Sequence, residues 1–387
     1  MQNEDPRPIP GEGRISAFSS AVLGLCSIAG VLCFRHPSIL TTPELRIHYE
    51  AEPLRLIIAC AIVSGVLLGI RGLFAGSRPR TAAVGIAGAI TAILLGGPYV
   101  PMGPVGPAAA TIGLDWLALD LLFGGAVFTA LEWLLPRIRS EQPALRAGWR
   151  LDLAYFVVNH LLVGTLITAS VWFAHGAFGW AVFPPAQEFL AALPAIPRFA
   201  LVVLAADAVE YGVHRALHQV PILWRIHAIH HSIERMDWLA ASRLHLLEVL
   251  ALRSMILVPI FLMGMPMDTI NAYVVFVSLH AVLIHANLKT DGGPLRGIIV
   301  TPWFHHWHHS SDAEALDTNY GAHTLLFDRL FGTAIDPRDR WPEKYGTVHP
   351  IPGGMAAQFT HPFLRESAKP DNDEDDVPPN GQIQSSP

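Results

Sequence analysis

Histidine is the residue here with the numbers and spacing to do chemistry: thirteen of the nineteen lie between His214 and His323. The first motif is His214-Arg-Ala-Leu-His218, whose i, i+4 spacing sets two imidazoles one turn apart on one helix face. The second is His227-Ala-Ile-His230-His231, and its spacing returns in His305-His306-Trp307-His308-His309, after Thr301-Pro302, when His305, His308 and His309 are read together. In an HxxHH run two side chains share a helix face and the third is rotated from it. Between the motifs lie His245, in Ala241-Ser-Arg-Leu-His-Leu-Leu-Glu248, and the pair His280 and His285. His285 ends an apolar run on the same side as the motifs and is the additional ligand expected.

Eight histidines in three motifs, with one or two more, supply four or five nitrogens to each of two metal ions. Imidazole suits iron, zinc and copper. The cysteines, Cys26, Cys33 and Cys60, all lie in early apolar stretches as small packing residues, so thiolate sites are excluded. An all-histidine shell with open positions favours oxygen activation by iron. The metal set read from spacing is His214, His218, His227, His230, His231, His285, His305, His308 and His309, with His245, His280 and His306 as further candidates. A lone HxxxH is explained as well by packing as by a site, whereas two HxxHH copies flanking an apolar hairpin are not. His36, His48, His160, His175, His349 and His361 stand singly and read as structural, and His323 reads as a neighbour of the site.

These side chains need helices, and composition puts the helices in a membrane. The chain of 387 residues is 51% hydrophobic and 15% charged, with mean hydropathy +0.38. Apolar runs long enough to cross about 30 Å of hydrocarbon occur near Ile15–Phe34, Pro53–Phe74, Thr81–Tyr99 and Leu114–Leu135. A second set follows at Leu153–Trp180, Phe199–Val213, Leu246–Gly264 and Thr269–Leu288. The expected fold is therefore all-α: a polytopic helical membrane protein of about six to eight transmembrane helices with a histidine-rich cytoplasmic metal-binding cap. The polar, proline-containing start before the first run does not look like a cleavable signal, so that run is expected to stay as an anchor.

Loop charge gives the orientation. Arg71, Arg78 and Arg80, then Arg137, Arg139, Arg146 and Arg150, mark one side, and eight crossings place both clusters with the histidines, on the cytoplasmic side. Nearly all of the net charge of -6 is carried by the tail, where Glu366, Asp371, Asp373, Glu374, Asp375 and Asp376 face one lysine, and the rest is close to neutral. Nucleic-acid binding is accordingly not indicated.

Beyond the histidines stand Asp207 and Tyr211 ahead of His214, Ala241-Ser-Arg-Leu-His245, His285-Ala-Asn-Leu288, Asn319-Tyr-Gly321 and Phe327-Asp-Arg-Leu-Phe-Gly-Thr333. With the HxxxH, HxxHH, HxxHH order, this pattern resembles the fatty acid hydroxylase and sterol desaturase superfamily of membrane di-iron oxygenases, over about Asp152–Thr333. Two positions depart from it: Leu246 where the family commonly has proline, and Thr318 where it commonly has lysine. The organisation expected is a polar segment 1–14, helices 15–135 of open role, a cytoplasmic connection 136–152, a di-iron domain 153–335, an extension 336–365 and a disordered acidic tail 366–387.

The resemblance implies two iron ions, with O2 as co-substrate, that hydroxylate a C–H bond of a sterol, fatty acyl lipid or similar apolar molecule. Two electrons must come from an external ferredoxin, cytochrome or reductase, since the chain shows no dinucleotide fingerprint, cysteine cluster or haem domain. Exposed Arg215, Arg225, Arg235 and Arg243 are candidates for its docking surface. Asp207 and Glu210, seven and four residues before His214 on one helical face, are candidates to orient the ligands, as are Asp317 and Asn319, with Asp328 undecided. The competing structural reading pairs Asp207 or Glu210 with Arg215 or Arg243. A desaturase uses the same centre and is the nearest alternative. A metal transporter or sensor would spread ionisable residues along several helices at midplane, and a zinc hydrolase would need only three ligands.

Overall fold

The computed structural model describes residues 12–46, 48–75, 78–105, 111–138, 146–337 and 340–364. The acidic tail 366–387, Arg139 and nearly all of the polar segment 1–14 lie outside the described residues. Among the described residues the fold is all-helical, and extended pairing is confined to isolated bridges such as Pro136 with Leu288 and Ile299 with Thr324. In chain order the helices are α1 (Glu12–Arg35), α2 (Pro37–Leu40), α3 (Pro43–Arg46), α4 (Ala51–Phe74), α5 (Pro79–Leu94), α6 (Leu114–Leu134), α7 (Trp149–Phe178), α8 (Pro184–Ala191), α9 (Ala195–Gln219), α10 (Pro221–His231), α11 (Leu246–Met263), α12 (Met267–His285), α13 (Pro302–His308), α14 (Leu326–Phe331) and α15 (Met355–Thr360).

Seven helices are long and apolar enough to cross a membrane, by length and composition: α1, α4, α5, α6, α7, α11 and α12. The expected run Phe199–Val213 is not among them. It forms the first part of α9, where Arg198, Asp207, Glu210 and Arg215 interrupt the apolar sequence.

The chain divides into two compact units. In the first, residues 1–121 and 160–165, α1, α4 and α5 approach closely along small residues. A Cβ at Gly88 would stand 2.8 Å from the carbonyl carbon of Gly24, and the Ser20 hydroxyl donates to the Gly65 carbonyl at 2.7 Å. That is how helices pack where apolar burial does not separate protein from solvent.

In the second unit, residues 122–159 and 166–387, α9 packs on α10, α11 and α12, and α12 packs on α13. Local signals set the short helices that carry histidines. Pro221 and Pro302 occupy the first helical positions of α10 and α13, where their missing N–H costs nothing, and the Thr301 hydroxyl caps α13 by accepting from Phe304 N. Gly264, at φ 59°, ends α11 and turns the chain into α12. In this unit the polar connection lies by the histidine-rich segments: Arg137 donates to the Tyr345 hydroxyl and the Pro342 carbonyl, and Arg146 to Asp237.

Candidate metal centre

Helices α9, α10, α12 and α13 deliver nine buried histidines whose nitrogens fall into two groups. His214, His218, His227, His231 and His308 form one, and His230, His285, His305 and His309 the other; within each group the candidate ligand atoms all lie within 4.8 Å of one another. Successive helical residues point about 100° apart, so each HxxHH run is shared between the groups. His227 and His231 serve the first group and His230 the second, while His305 and His309 serve the second and His308 the first. The groups are adjacent: the His231 and His309 rings stack at 4.5 Å between centroids.

Tautomers follow from the hydrogen bonds on the far side of the rings. Nδ1 of His214 lies 2.7 Å from the Tyr320 carbonyl, of His230 3.1 Å from the Arg243 carbonyl, of His285 2.7 Å from the Ala281 carbonyl and of His308 2.9 Å from the Thr318 carbonyl. Nδ1 of His227 lies 2.8 Å from a Glu248 carboxylate oxygen. These partners only accept, so each Nδ1 carries the proton and each Nε2 presents a lone pair. Yet Nε2 of His214 is 3.0 Å from Nε2 of His227, and Nε2 of His230 is 3.2 Å from Nε2 of His285. Neither contact is a hydrogen bond, because neither nitrogen has a proton to give.

Facing lone pairs repel unless a cation lies among them. Two nitrogens bound to one ion at about 2.1 Å stand about 3.0–3.4 Å apart in octahedral or tetrahedral geometry, which matches both separations. The Nε2 atoms of His218, His231 and His308 are also buried without a hydrogen-bond partner. Burial first, then neighbouring imidazoles, holds His230, His231, His305 and His309 well below the usual imidazole range, and burial pushes His308 down to about 3. Neutral rings are the form that ligates a metal. The donor set fits two metal ions, iron among those that imidazole suits.

The loop after α13 holds two of these rings by its main chain. Asp317 and Asn319 both adopt φ 57°, in the left-handed region that non-glycine residues seldom occupy, and the carbonyls of Thr318 and Tyr320 hold His308 and His214. Asn319 pins the loop by donating to the Phe304 and Ile335 carbonyls, both at 3.1 Å, and accepting from Ile335 N at 2.8 Å. Asp328 accepts from Tyr320 N at 2.9 Å and from Gly321 N at 2.6 Å. Asn319 and Asp328 thus shape the carbonyl cradle rather than bond the rings. Asp317 lies 3.9 Å from Nδ1 of His218 and accepts from the Tyr320 hydroxyl.

Asp207 and Arg243 depart from their expected roles. The Asp207 carboxylate accepts from His323 N and Thr324 N at 3.0 and 3.1 Å, fastening α9 to the loop instead of orienting an imidazole or pairing with arginine. Arg243 is buried, not a docking residue: it donates to Asp152 at 2.5 Å, and Asp152 also receives Arg146, which binds Asp237 through two nitrogens at 2.5 and 2.7 Å. This closed ion network positions the Arg243 carbonyl that holds His230. Arg225 is half-buried and donates to the His361 carbonyl, whereas Arg235 is exposed.

His245, His280 and His306 fall outside both groups. His245 caps α11, accepting from Leu247 N at 3.1 Å. His280 donates to the Val300 carbonyl at 2.8 Å, and His306 bridges the Ala286 carbonyl and the Tyr345 hydroxyl. The spacing argument missed Glu248. Its signal was present, as the carboxylate in the first turn of an apolar span, where charge is costly without a partner.

Residues 199–333 match the fatty acid hydroxylase family. Among curated relatives, an ornithine lipid hydroxylase of Rhizobium tropici is 34% identical over 43% of this chain and 52% of its own length. An alkylglycerol monooxygenase of Danio rerio is 32% identical over 39% of this chain and 33% of its own, and a methylsterol monooxygenase of the same organism 30% over 33% and 43%. The matched region spans from a third to about half of these relatives' lengths. No solved structure matches the chain. Residues 199–333, with the HxxxH motif and both HxxHH runs inside them, thus form a domain that matches the fatty acid hydroxylase family.

Proposed function

We propose that this protein is a membrane-bound, O2-dependent lipid hydroxylase with two iron ions held by the five-histidine and four-histidine groups. The observation that carries the reading is the confrontation of proton-free Nε2 atoms, His214 with His227 and His230 with His285, which calls for a cation at each pair. The names of the relatives, hydroxylases and monooxygenases of ornithine lipid, alkylglycerol and methylsterol, favour hydroxylation of a lipid over desaturation.

The reaction is R–H + O2 + two electrons + two protons giving R–OH + H2O, with the electrons from a separate one-electron carrier protein. Iron supplies the capacity to activate O2. The protein fixes the rest: Glu248 and four carbonyls hold Nδ1–H so that Nε2 points inward, and the apolar helices keep bulk water out and admit a lipid. The di-iron domain is taken as residues 153–335, and a cytoplasmic side for its histidines is supported by the positive-inside rule together with Arg137, which lies 3.5 Å from Nδ1 of His306 and donates to the Tyr345 hydroxyl. The histidines gather in two compact groups at helix ends rather than along a path, which disfavours transport.

The test is elemental analysis of detergent-purified protein expressed with added iron, together with the mass of lipid products. Two equivalents of iron and a product heavier by one oxygen atom are expected. A single zinc indifferent to His230→Ala and His308→Ala would overturn the proposal.

A further inference from the structure

A partly open cavity of about 110 Å³ adjoins the histidines, between α9, α11 and α12. His214, His227 and His285 line one side, and Leu252, Val277 and Ile284 line an apolar side. Glu210 and His323 also line it. Glu210 precedes His214 by one helical turn, so their Cβ atoms lie about 5–6 Å apart along α9.

Glu210 has His323, Asp207 and Arg253 as charged neighbours, yet one of its carboxyl oxygens is left without a hydrogen bond. Its Oε2 is buried without a hydrogen-bond partner, and Nε2 of His323 stands 3.4 Å away with the Tyr273 hydroxyl 3.1 Å from that same nitrogen. A buried carboxyl oxygen facing an apolar cavity is costly unless a donor reaches it. The oxygen can accept whether the carboxyl is ionised or protonated. Its distance from His214 matches a donor a few bonds from a carbon presented to the histidine side.

We propose that Glu210 is the specificity-determining acceptor of the substrate cavity, selecting lipids that carry a hydroxyl or N–H within a few bonds of the carbon to be oxidised. This inference rests on the lipid-hydroxylase reading and narrows its substrate class. His323, held by Tyr273, keeps Glu210 turned toward the cavity.

The test compares cetyl alcohol with its methyl ether, equal in chain and different in the donor, by thermal-shift titration of the full-length, iron-loaded protein in detergent. A hydrogen bond to a desolvated carboxyl predicts about tenfold or more tighter binding of the alcohol. Glu210→Leu should bring the ratio near one by weakening the alcohol. Glu210→Gln, whose amide oxygen still accepts, should keep part of it, and both variants should retain wild-type iron. Equal wild-type binding of the two lipids, or an unchanged preference in Glu210→Leu, overturns the inference; the wild-type comparison decides alone if Glu210→Leu does not fold. Iron and product mass are read on the same preparation. Iron-loaded, hydroxylating protein without the preference sinks this inference alone, whereas protein without iron or turnover sinks the reading beneath it.

Discussion

The Nε2 atoms of His214 and His227 face each other at 3.0 Å, while the far nitrogens of the same rings are committed to the Tyr320 carbonyl and the Glu248 carboxylate. Two neutral imidazoles with fixed tautomers do not settle there on their own account. The contact fits a site that a cation would complete, and the support of each ring can be removed separately.

His308→Ala removes one of five nitrogens from the first group, and His230→Ala removes one of four from the second. Each variant should lose metal from its own group, so that about one of two equivalents remains, with activity abolished and membrane insertion intact. His230→Ala should show the more complete loss. Elemental analysis beside a membrane-fraction blot checks this, and full metal content in both variants would exclude these residues as ligands.

Glu248→Ala deletes the carboxylate that fixes the His227 tautomer. Loss of such a partner typically weakens metal affinity about tenfold to a hundredfold, and Glu248→Gln, which still accepts, should weaken it less. Competition with a chelator gives the affinities. Equal affinity in wild type and Glu248→Ala would mean that the backbone alone positions the ring.

The histidines were legible because helical spacing is a property of the chain: two residues four apart share a face whatever surrounds them. How they divide was not legible. His308 and His309 are neighbours in sequence but belong to different groups, because successive side chains diverge by about 100° and the docking of α13 on α12 sets which group each one meets. The carboxylates misled for a related reason. Asp207 sits on the face of His214, as the spacing predicts, yet its oxygens meet the backbone of His323 and Thr324, which arrive from more than a hundred residues away. Arg243 read as exposed and docking-competent because Asp152, its partner, lies on a helix 91 residues earlier. The apolar runs were easier, since composition alone defines them, and Phe199–Val213 was lost where composition is mixed.

Asp152→Asn tests that ion network. Asp152 is buried between Arg146 and Arg243, and neutralising it leaves buried positive charge uncompensated, a loss of about 3–5 kcal/mol in comparable cases. The variant should melt well below wild type in detergent and lose metal from the group containing His230, whose Nδ1 rests on the Arg243 carbonyl. Unchanged melting would show that the network does not hold the fold.

Asn319 separates main-chain shape from side-chain bonding. At φ 57° a glycine relieves the strain that alanine suffers, but both delete the bonds to Phe304 and Ile335. If conformation is what turns the Thr318 and Tyr320 carbonyls toward His308 and His214, Asn319→Gly keeps most of the metal and Asn319→Ala loses it. If the side chain's anchoring dominates, both lose it. Three side-chain hydrogen bonds fasten this residue, each worth about 1 kcal/mol, against a left-handed penalty of about 1–2 kcal/mol for alanine. Anchoring is the larger sum, so both variants should lose metal from the five-histidine group, alanine more than glycine, while the four-histidine group stays loaded. Metal retained in full by Asn319→Gly would reverse that order and make backbone conformation the controlling feature.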